Sequence, residues 1–291
     1  MSAPAPPILI PFGPNANCTL ELCPVSWNVF GYLPSLAANG TFIGIFGLLL
    51  LVQLVQGTWF RTWGHTACVG AGSILQVIGY AGRIQLHSNP FSFNAFLMQI
   101  ICITIAPVFY CAAVYVLLSQ FIARTDISLS RFNPRLFYWI FIPADITCLV
   151  LQSVGGALSA TGRTEADVDV GVNISIAGLS LQVVVLILFL AFFSDYLFAL
   201  QRRKGLGSLA KNVRIFLVFL ILTVVCILIR CIYRIVELKG GYFGPNFRQQ
   251  DEFIGLEGAV MCVAVVCLIL AHPGPAFRHT KEAASEEHPL E

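Results

Sequence analysis

Charge is what this sequence lacks most: only 11% of its residues are Asp, Glu, Lys or Arg, where a soluble domain carries about 25%. So few charges cannot cover a water-facing surface, and the 57% apolar content indicates that most of that surface meets lipid. The 291 residues leave room for one helical bundle with short loops and for no second soluble domain. A phosphate-cradling loop is also missing. The run Arg202-Arg203-Lys204-Gly205-Leu206-Gly207-Ser208 has basic residues and glycines in the wrong order for one, so transport by this chain alone would run downhill or on an ion gradient. Metal and nucleophile constellations are wanting too. His65, His279 and His288 fall in loops or tail, His87 and His272 at span ends, and no pair has ligand spacing on one helix. No Ser-centred nucleophile motif appears, so the chain does not read as an enzyme. Residues 1–34, rich in Pro and Asn, show no basic stretch ahead of an apolar one, which argues against a cleaved signal peptide.

What is present is a set of long apolar runs. A helix crossing the hydrocarbon core needs about 20 mostly apolar residues. Segments 35–57, 66–86, 94–122, 136–159, 171–197, 212–236 and 252–271 meet that need. The expected fold is an all-α, polytopic seven-helix bundle over 35–271, with a tail at 1–34 and another at 272–291. Basic loops stay cytoplasmic. With the N-terminus outside, ten basic residues (Arg61, Arg124, Arg131, Arg135, Arg202, Arg203, Lys204, Lys211, Arg278, Lys281) fall inside, against Arg163, Lys239 and Arg248 outside. That bias predicts an exterior N-terminus and a cytoplasmic C-terminus. Three glycosylation sequons, at Asn17, Asn39 and Asn173, land on the same exterior side, and only Asn17 is clear of the membrane. Cys18 and Cys23 lie in the same tail, where an oxidising exterior favours a disulfide; the other eight cysteines sit in apolar runs as small hydrophobes.

Six ionisable residues fall within or at the margins of these spans: Arg83, Asp145, Arg230, Arg234, Glu237 and Glu257. One such charge at the bilayer centre costs about 2.5–3.5 kcal/mol on the gentlest scale. Gln76, Tyr80 and Arg83 stand at i, i+4 and i+7, as do Arg230, Arg234 and Glu237, while Asp145 and Gln152 are seven apart. Each set forms one polar stripe on an apolar helix. Their depth, at about 1.5 Å per residue, suggests a polar vestibule opening outward and tapering toward mid-membrane. Snorkelling to the headgroups explains Arg83 or Glu237 taken alone, but not Asp145, whose short side chain cannot reach water. Pro107 and Pro143 should kink their spans. Gly155, Gly156 and Ser159 favour close helix contact, and Trp59, Trp63, Tyr138 and Trp139 form an aromatic belt.

In order along the chain, Ile78-Gly79-Tyr80-Ala81-Gly82-Arg83, Gln99 with Ala106-Pro107, Ala112-Ala113-Val114-Tyr115, Asp145 with Gln152 and Gly155-Gly156, Ala177-Gly178-Leu179-Ser180-Leu181-Gln182, Arg230 with Tyr233-Arg234 and Glu237, and Ala271-His272-Pro273-Gly274 together resemble the fungal RTA-like family of lipid-translocating exporters. The resemblance implies a seven-helix protein of a fungal membrane, usually the plasma membrane. It also implies export of sphingoid bases, tolerance to toxic amphiphiles as in drug resistance and, in one branch, porphyrin uptake. It departs at Gln76 and Gln250, where the family usually carries Glu.

The expected function is therefore binding and translocation of an amphiphile. Gln76, Tyr80, Arg83, Asp145, Gln152, Gln182, Arg230, Arg234, Glu237 and Glu257 are the expected ligand residues. Asp145 and Glu257 would meet a cationic amine, and the three arginines phosphate or carboxylates. Membrane lipids and a small amphiphile are the expected partners, with no nucleic acid, no cofactor and the oligomeric state open. The alternatives are a haem or porphyrin carrier and a seven-helix receptor. Against the receptor, the third span closes on Ala123-Arg124-Thr125-Asp126 without an acid-Arg-aromatic triplet.

Overall fold

The computed structural model describes residues 9–125, 133–162, 164–204, 211–242 and 244–274. Seven of its helices are long and apolar enough to cross a membrane: α1 (Leu36–Phe60), α2 (Trp63–Ser88), α3 (Phe93–Thr125), α4 (Pro134–Thr161), α5 (Glu165–Lys204), α6 (Lys211–Leu238) and α7 (Gln250–Leu270). Arg131, Arg163, Asp126, His279, His288, Arg278, Lys281, the stretch 205–208 and the Lys204 side chain lie outside the described residues. Each expected span is a helix, and most run a few residues longer at both ends than the apolar run that announced them. Capping accounts for several of the boundaries. Ser35 accepts the Ala38 N–H to start α1, and Asn133 accepts the Arg135 N–H ahead of Pro134 to start α4. Arg61, at φ 54°, ends α1 in the left-handed conformation and turns the chain directly into α2.

Consecutive helices pack side by side, and α1 closes the ring against α7. Helix α3 runs through the middle, touching α2, α4, α6 and α7. The exposure pattern is that of a protein dissolved in lipid. Leu51 and Val218 on the perimeter are each 62% exposed, while Arg83 and Arg230 are each 1% exposed. Charge faces inward and hydrocarbon outward.

Glycines set the closest helix contacts. A Cβ on Gly155 of α4 would lie 2.5 Å from the Gly171 carbonyl and the Ser175 N–H of α5, and one on Gly79 of α2 would meet Ile103 of α3 at 2.5 Å. Helices α4 and α5 therefore touch backbone to backbone at the small-residue cluster noted in the sequence.

Residues 9–34 do not hang free. Phe30 stacks on Phe247 at 5.6 Å, and Phe12 meets Phe93 and Phe96 edge-on. His87 bonds the Pro34 carbonyl, and the Gln250 carbonyl Oε1 accepts the Ser35 N–H at 2.8 Å. A disulfide joins Cys18 to Cys23, with Cα atoms 5.6 Å apart. The tail forms a cap over the N-terminal end of the bundle.

The opposite end is closed by the residues after α7. The Gly274 N–H donates to His272 Nδ1, so the ring carries its proton on Nε2 and donates to Thr62 Oγ1, each at 3.1 Å. Burial lowers the His272 pKa to about 4. Protonation would put a hydrogen on Nδ1, against the Gly274 N–H. The contribution of this contact to stability is complete above the usual imidazole pKa of about 6.5. It is lost as pH falls toward about 4. In detergent, the thermal midpoint is expected to drop between pH 7 and 4.5, and His272→Gln should flatten that step.

Candidate functional site

The buried charges are partnered within the protein. On α6, Arg230 Nε donates to Glu257 Oε1 at 2.7 Å, and its Nη2 donates to the Ile103 carbonyl at 2.8 Å. That carbonyl is available for a local reason. Its helical partner would be the N–H of residue 107, and Pro107 has none. The proline expected to kink α3 thus also frees an acceptor for the guanidinium. Glu257 reaches Arg230 from a π-helical stretch, Phe253–Ala259, whose wider turn also sets Phe253 beneath Arg83. Arg83 lies 3.8 Å from the Phe253 ring centroid and 5.2 Å from that of Phe30, and its Nη2 donates to Tyr32 Oη at 3.0 Å. One turn beyond Arg230, Arg234 Nη1 donates to Glu237 Oε2 at 2.5 Å, and the Tyr233 hydroxyl donates to Oε1 of the same carboxylate.

These contacts lie within the expected vestibule. Arg83, Arg230 and Glu257 are buried, Arg83 beside Phe253 and the tail residues Phe30 and Tyr32, and Arg230 against Glu257. Arg230 and Glu257 neutralise one another and Arg83 lies against two aromatic rings, while Arg83 Nε and Glu257 Oε2 have no hydrogen-bond partner among the described residues. Gln76, at 0% exposure, and the Tyr80 hydroxyl lie in the same interior, with no hydrogen-bond partner for their side-chain polar atoms among the described residues.

The open space lies beside this cluster. A cavity of about 440 Å³ sits between α3 and α4, backed by α5 and α6, toward the N-terminal end of the bundle. Phe93, Leu97, Ile100 and Thr104 of α3 form one wall, and Gln152, Ser153, Gly156 and Ala157 of α4 the other. Ser175 and Leu179 of α5, Arg234 and Leu238 of α6, and Tyr242 after α6 close the back. Ile101 is 46% exposed at the rim, and Ser153 and Ala157 are exposed beside the outward-facing Val150 and Val154. The mouth therefore opens sideways, onto the belt that faces hydrocarbon. Its size falls within the usual range for a small-molecule site, about 300–1,000 Å³.

The walls are mostly apolar and the polar groups are few. Arg234 reaches the back of the cavity while paired with Glu237. Gln152 Nε2 donates to Gln182 Oε1 at 3.0 Å. Burial pushes the Tyr242 phenol pKa up and Arg234 pulls it back, the net being a rise, so the hydroxyl keeps its proton and remains a donor.

Of the ten expected ligand residues, Gln152 and Arg234 line this cavity. Gln182 and Glu237 stand directly behind them as hydrogen-bond partners. Gln76, Tyr80, Arg83, Arg230 and Glu257 belong to the closed cluster, and Asp145 stands apart on α4, accepting from the Tyr115 hydroxyl at 2.9 Å. The α3 wall, Tyr242 and the role of Tyr115 escaped the sequence reading. Phe93, Leu97, Ile100 and Thr104 share one face at i, i+4, i+7, i+11 spacing, which marks a lipid-facing helix face equally well.

Residues 69–280 match the family described as RTA1 like protein. A sphingoid long-chain base transporter, RSB1, of Saccharomyces cerevisiae is 32% identical over 286 residues, covering 85% of this chain and 74% of the relative. Protein RTA1 of the same yeast is 25% identical over 225 residues, covering 73% and 69%. No solved structure matches.

Proposed function

The chain belongs to the RTA1-like protein family, and from that premise we propose that it carries a single-chain amphiphile of the sphingoid-base class across the membrane. One observation supports this reading above the others: the cavity between α3 and α4 combines apolar walls and a lipid-facing mouth with a small polar group at its back. A long alkyl chain fits the α3 wall, which runs from Phe93 to Ile105 over about 18 Å at helical rise. The amino and hydroxyl groups would meet Glu237 and Arg234, the Tyr242 hydroxyl, Ser175 and Gln152. An ammonium group can share Glu237 with Arg234, so the headgroup finds a counter-charge without stripping the ion pair. Two of the three arginines suited to propionates, Arg83 and Arg230, are taken by Tyr32 with Phe253 and by Glu257, which favours a lipid over a porphyrin as cargo.

The N-terminal end is proposed to face the exterior of the plasma membrane, for which the distribution of basic residues argues. Exposed Asn17 is then a glycosylation site. Endoglycosidase should sharpen and speed the protein's band on a gel, and Asn17→Gln should abolish that shift. A protein insensitive to the enzyme would remove the sequon from the case for this orientation.

The cavity reading is tested by filling the mouth. Ala157→Trp should weaken equilibrium binding of a fluorescent sphingoid base to purified protein at least tenfold, with elution and thermal midpoint unchanged. Undiminished binding by a folded variant would move the ligand elsewhere.

A further inference from the structure

The α3–α4 seam carries a second cavity, at the opposite end from the first. It measures about 620 Å³, and its polar lining includes Ser119, Gln120, Asn133, Arg135 and Tyr138. Between the two cavities the seam is bridged by the Tyr115 hydroxyl, which donates to Asp145 Oδ2, and by the Tyr115 ring, which packs on Phe141 of α4.

The spacing along both helices is regular. On α4, Tyr138 lines the second cavity, Asp145 follows seven residues later, and Gln152 in the first cavity seven after that. Seven residues are close to two helical turns, so the three share a face at steps of about 10 Å. On α3, Ser119 lies one turn from Tyr115, and Thr104 of the first cavity lies three turns the other way. A regular polar series on α4 and the polar residues Thr104, Tyr115 and Ser119 of α3 therefore lie along the same seam.

Asp145 is otherwise hard to account for. It is 1% exposed, its Oδ1 has no partner, and unlike Glu237 and Glu257 it has no ion-pair partner among the described residues. A carboxylate kept midway through the membrane with one oxygen unused is suited to a visiting cation.

We infer that the α3–α4 seam is the route along which a protonated amine headgroup passes between the two cavities, with Asp145 as its midway counter-charge and the Tyr115–Asp145 hydrogen bond as the closed gate. This rests on the carrier reading above and names the path within it. The ammonium approaches Oδ1, Tyr115 gives up or shares Oδ2, and the alkyl chain stays in the lipid beside the seam. No bond is made or broken other than hydrogen bonds.

The test separates passage from binding. Asp145→Asn keeps the shape and an acceptor for Tyr115 but removes the charge. Purified wild type, Asp145→Asn, Asp145→Glu and Tyr115→Phe are reconstituted in phosphatidylcholine vesicles, and flux of a fluorescent sphingoid base is measured above protein-free vesicles. Equilibrium binding of the same probe is measured in detergent. Asp145→Asn should lose at least tenfold in flux with binding within twofold of wild type. Asp145→Glu should recover part of the flux, and Tyr115→Phe should conduct at least as well as wild type. Flux within twofold of wild type in Asp145→Asn would overturn the route, as would parallel loss of binding and flux, which would make Asp145 part of the resting site or the fold. If wild type itself neither binds nor moves the probe, the carrier reading fails, an outcome distinct from these two.

Discussion

Arg230→Met should destabilise the protein by about 3–5 kcal/mol, the usual cost of removing one partner from a buried ion pair. The Arg230 guanidinium has two jobs at the α3–α6–α7 junction. It neutralises Glu257, which is 0% exposed, and it satisfies the Ile103 carbonyl that Pro107 leaves without a helical donor. Methionine fills much of the volume and does neither. Glu257 must then take a proton or remain ionised in an apolar interior, and a buried carbonyl loses its donor. Monodisperse protein recovered in detergent, and its thermal midpoint, measure the loss. Arg230→Met combined with Glu257→Met should recover most of it, because two apolar side chains can replace a buried pair at little net cost. A double variant as unstable as the single one would mean that the Ile103 carbonyl, and not the ion pair, dominates.

The second large effect falls on binding. Arg234→Gln with Glu237→Gln replaces an ion pair by two amides able to bond each other, as Gln152 and Gln182 already do. The thermal midpoint should change little. Affinity for the sphingoid base should fall at least tenfold, about 1.4 kcal/mol, because the headgroup loses charge-assisted hydrogen bonds at the back of the cavity, each worth about 1.5–3 kcal/mol. Arg234→Gln alone would be harder to read, since it strands Glu237 at 3% exposure and mixes folding with binding. Intact affinity in the double variant would remove the headgroup from Arg234.

The sequence announced its solvent clearly, because a chain with 11% charge has no soluble option. Seven spans followed from apolar length, although α5 runs from Glu165 to Lys204, well beyond the apolar run 171–197. Hydropathy marks where a helix is in hydrocarbon, and helices continue through the headgroups into water. The stripes of α2 and α6 were legible because helical periodicity forces residues at i, i+4 and i+7 onto one face.

Their partners were not legible. Nothing in the sequence says that Arg230 would take a carbonyl on α3, or that Phe30 and Tyr32 of the tail would lie against Arg83. The cavity itself was hidden for a different reason. A helix face lining an apolar cavity and one facing lipid have the same composition, so nothing sets Phe93, Leu97 and Ile100 apart from the perimeter. Gln152 and Arg234 are the two expected polar residues that line the cavity.

The central claim is that this chain by itself moves a single-chain amine through the cavity between α3 and α4. Its most direct test is flux of a fluorescent sphingoid base across vesicles holding only the purified protein, wild type beside the mouth-filling Ala157→Trp. Flux should lie well above that of protein-free vesicles for wild type and close to the protein-free level for the variant. Equal flux in the two, or none above background for correctly folded wild type, would contradict it.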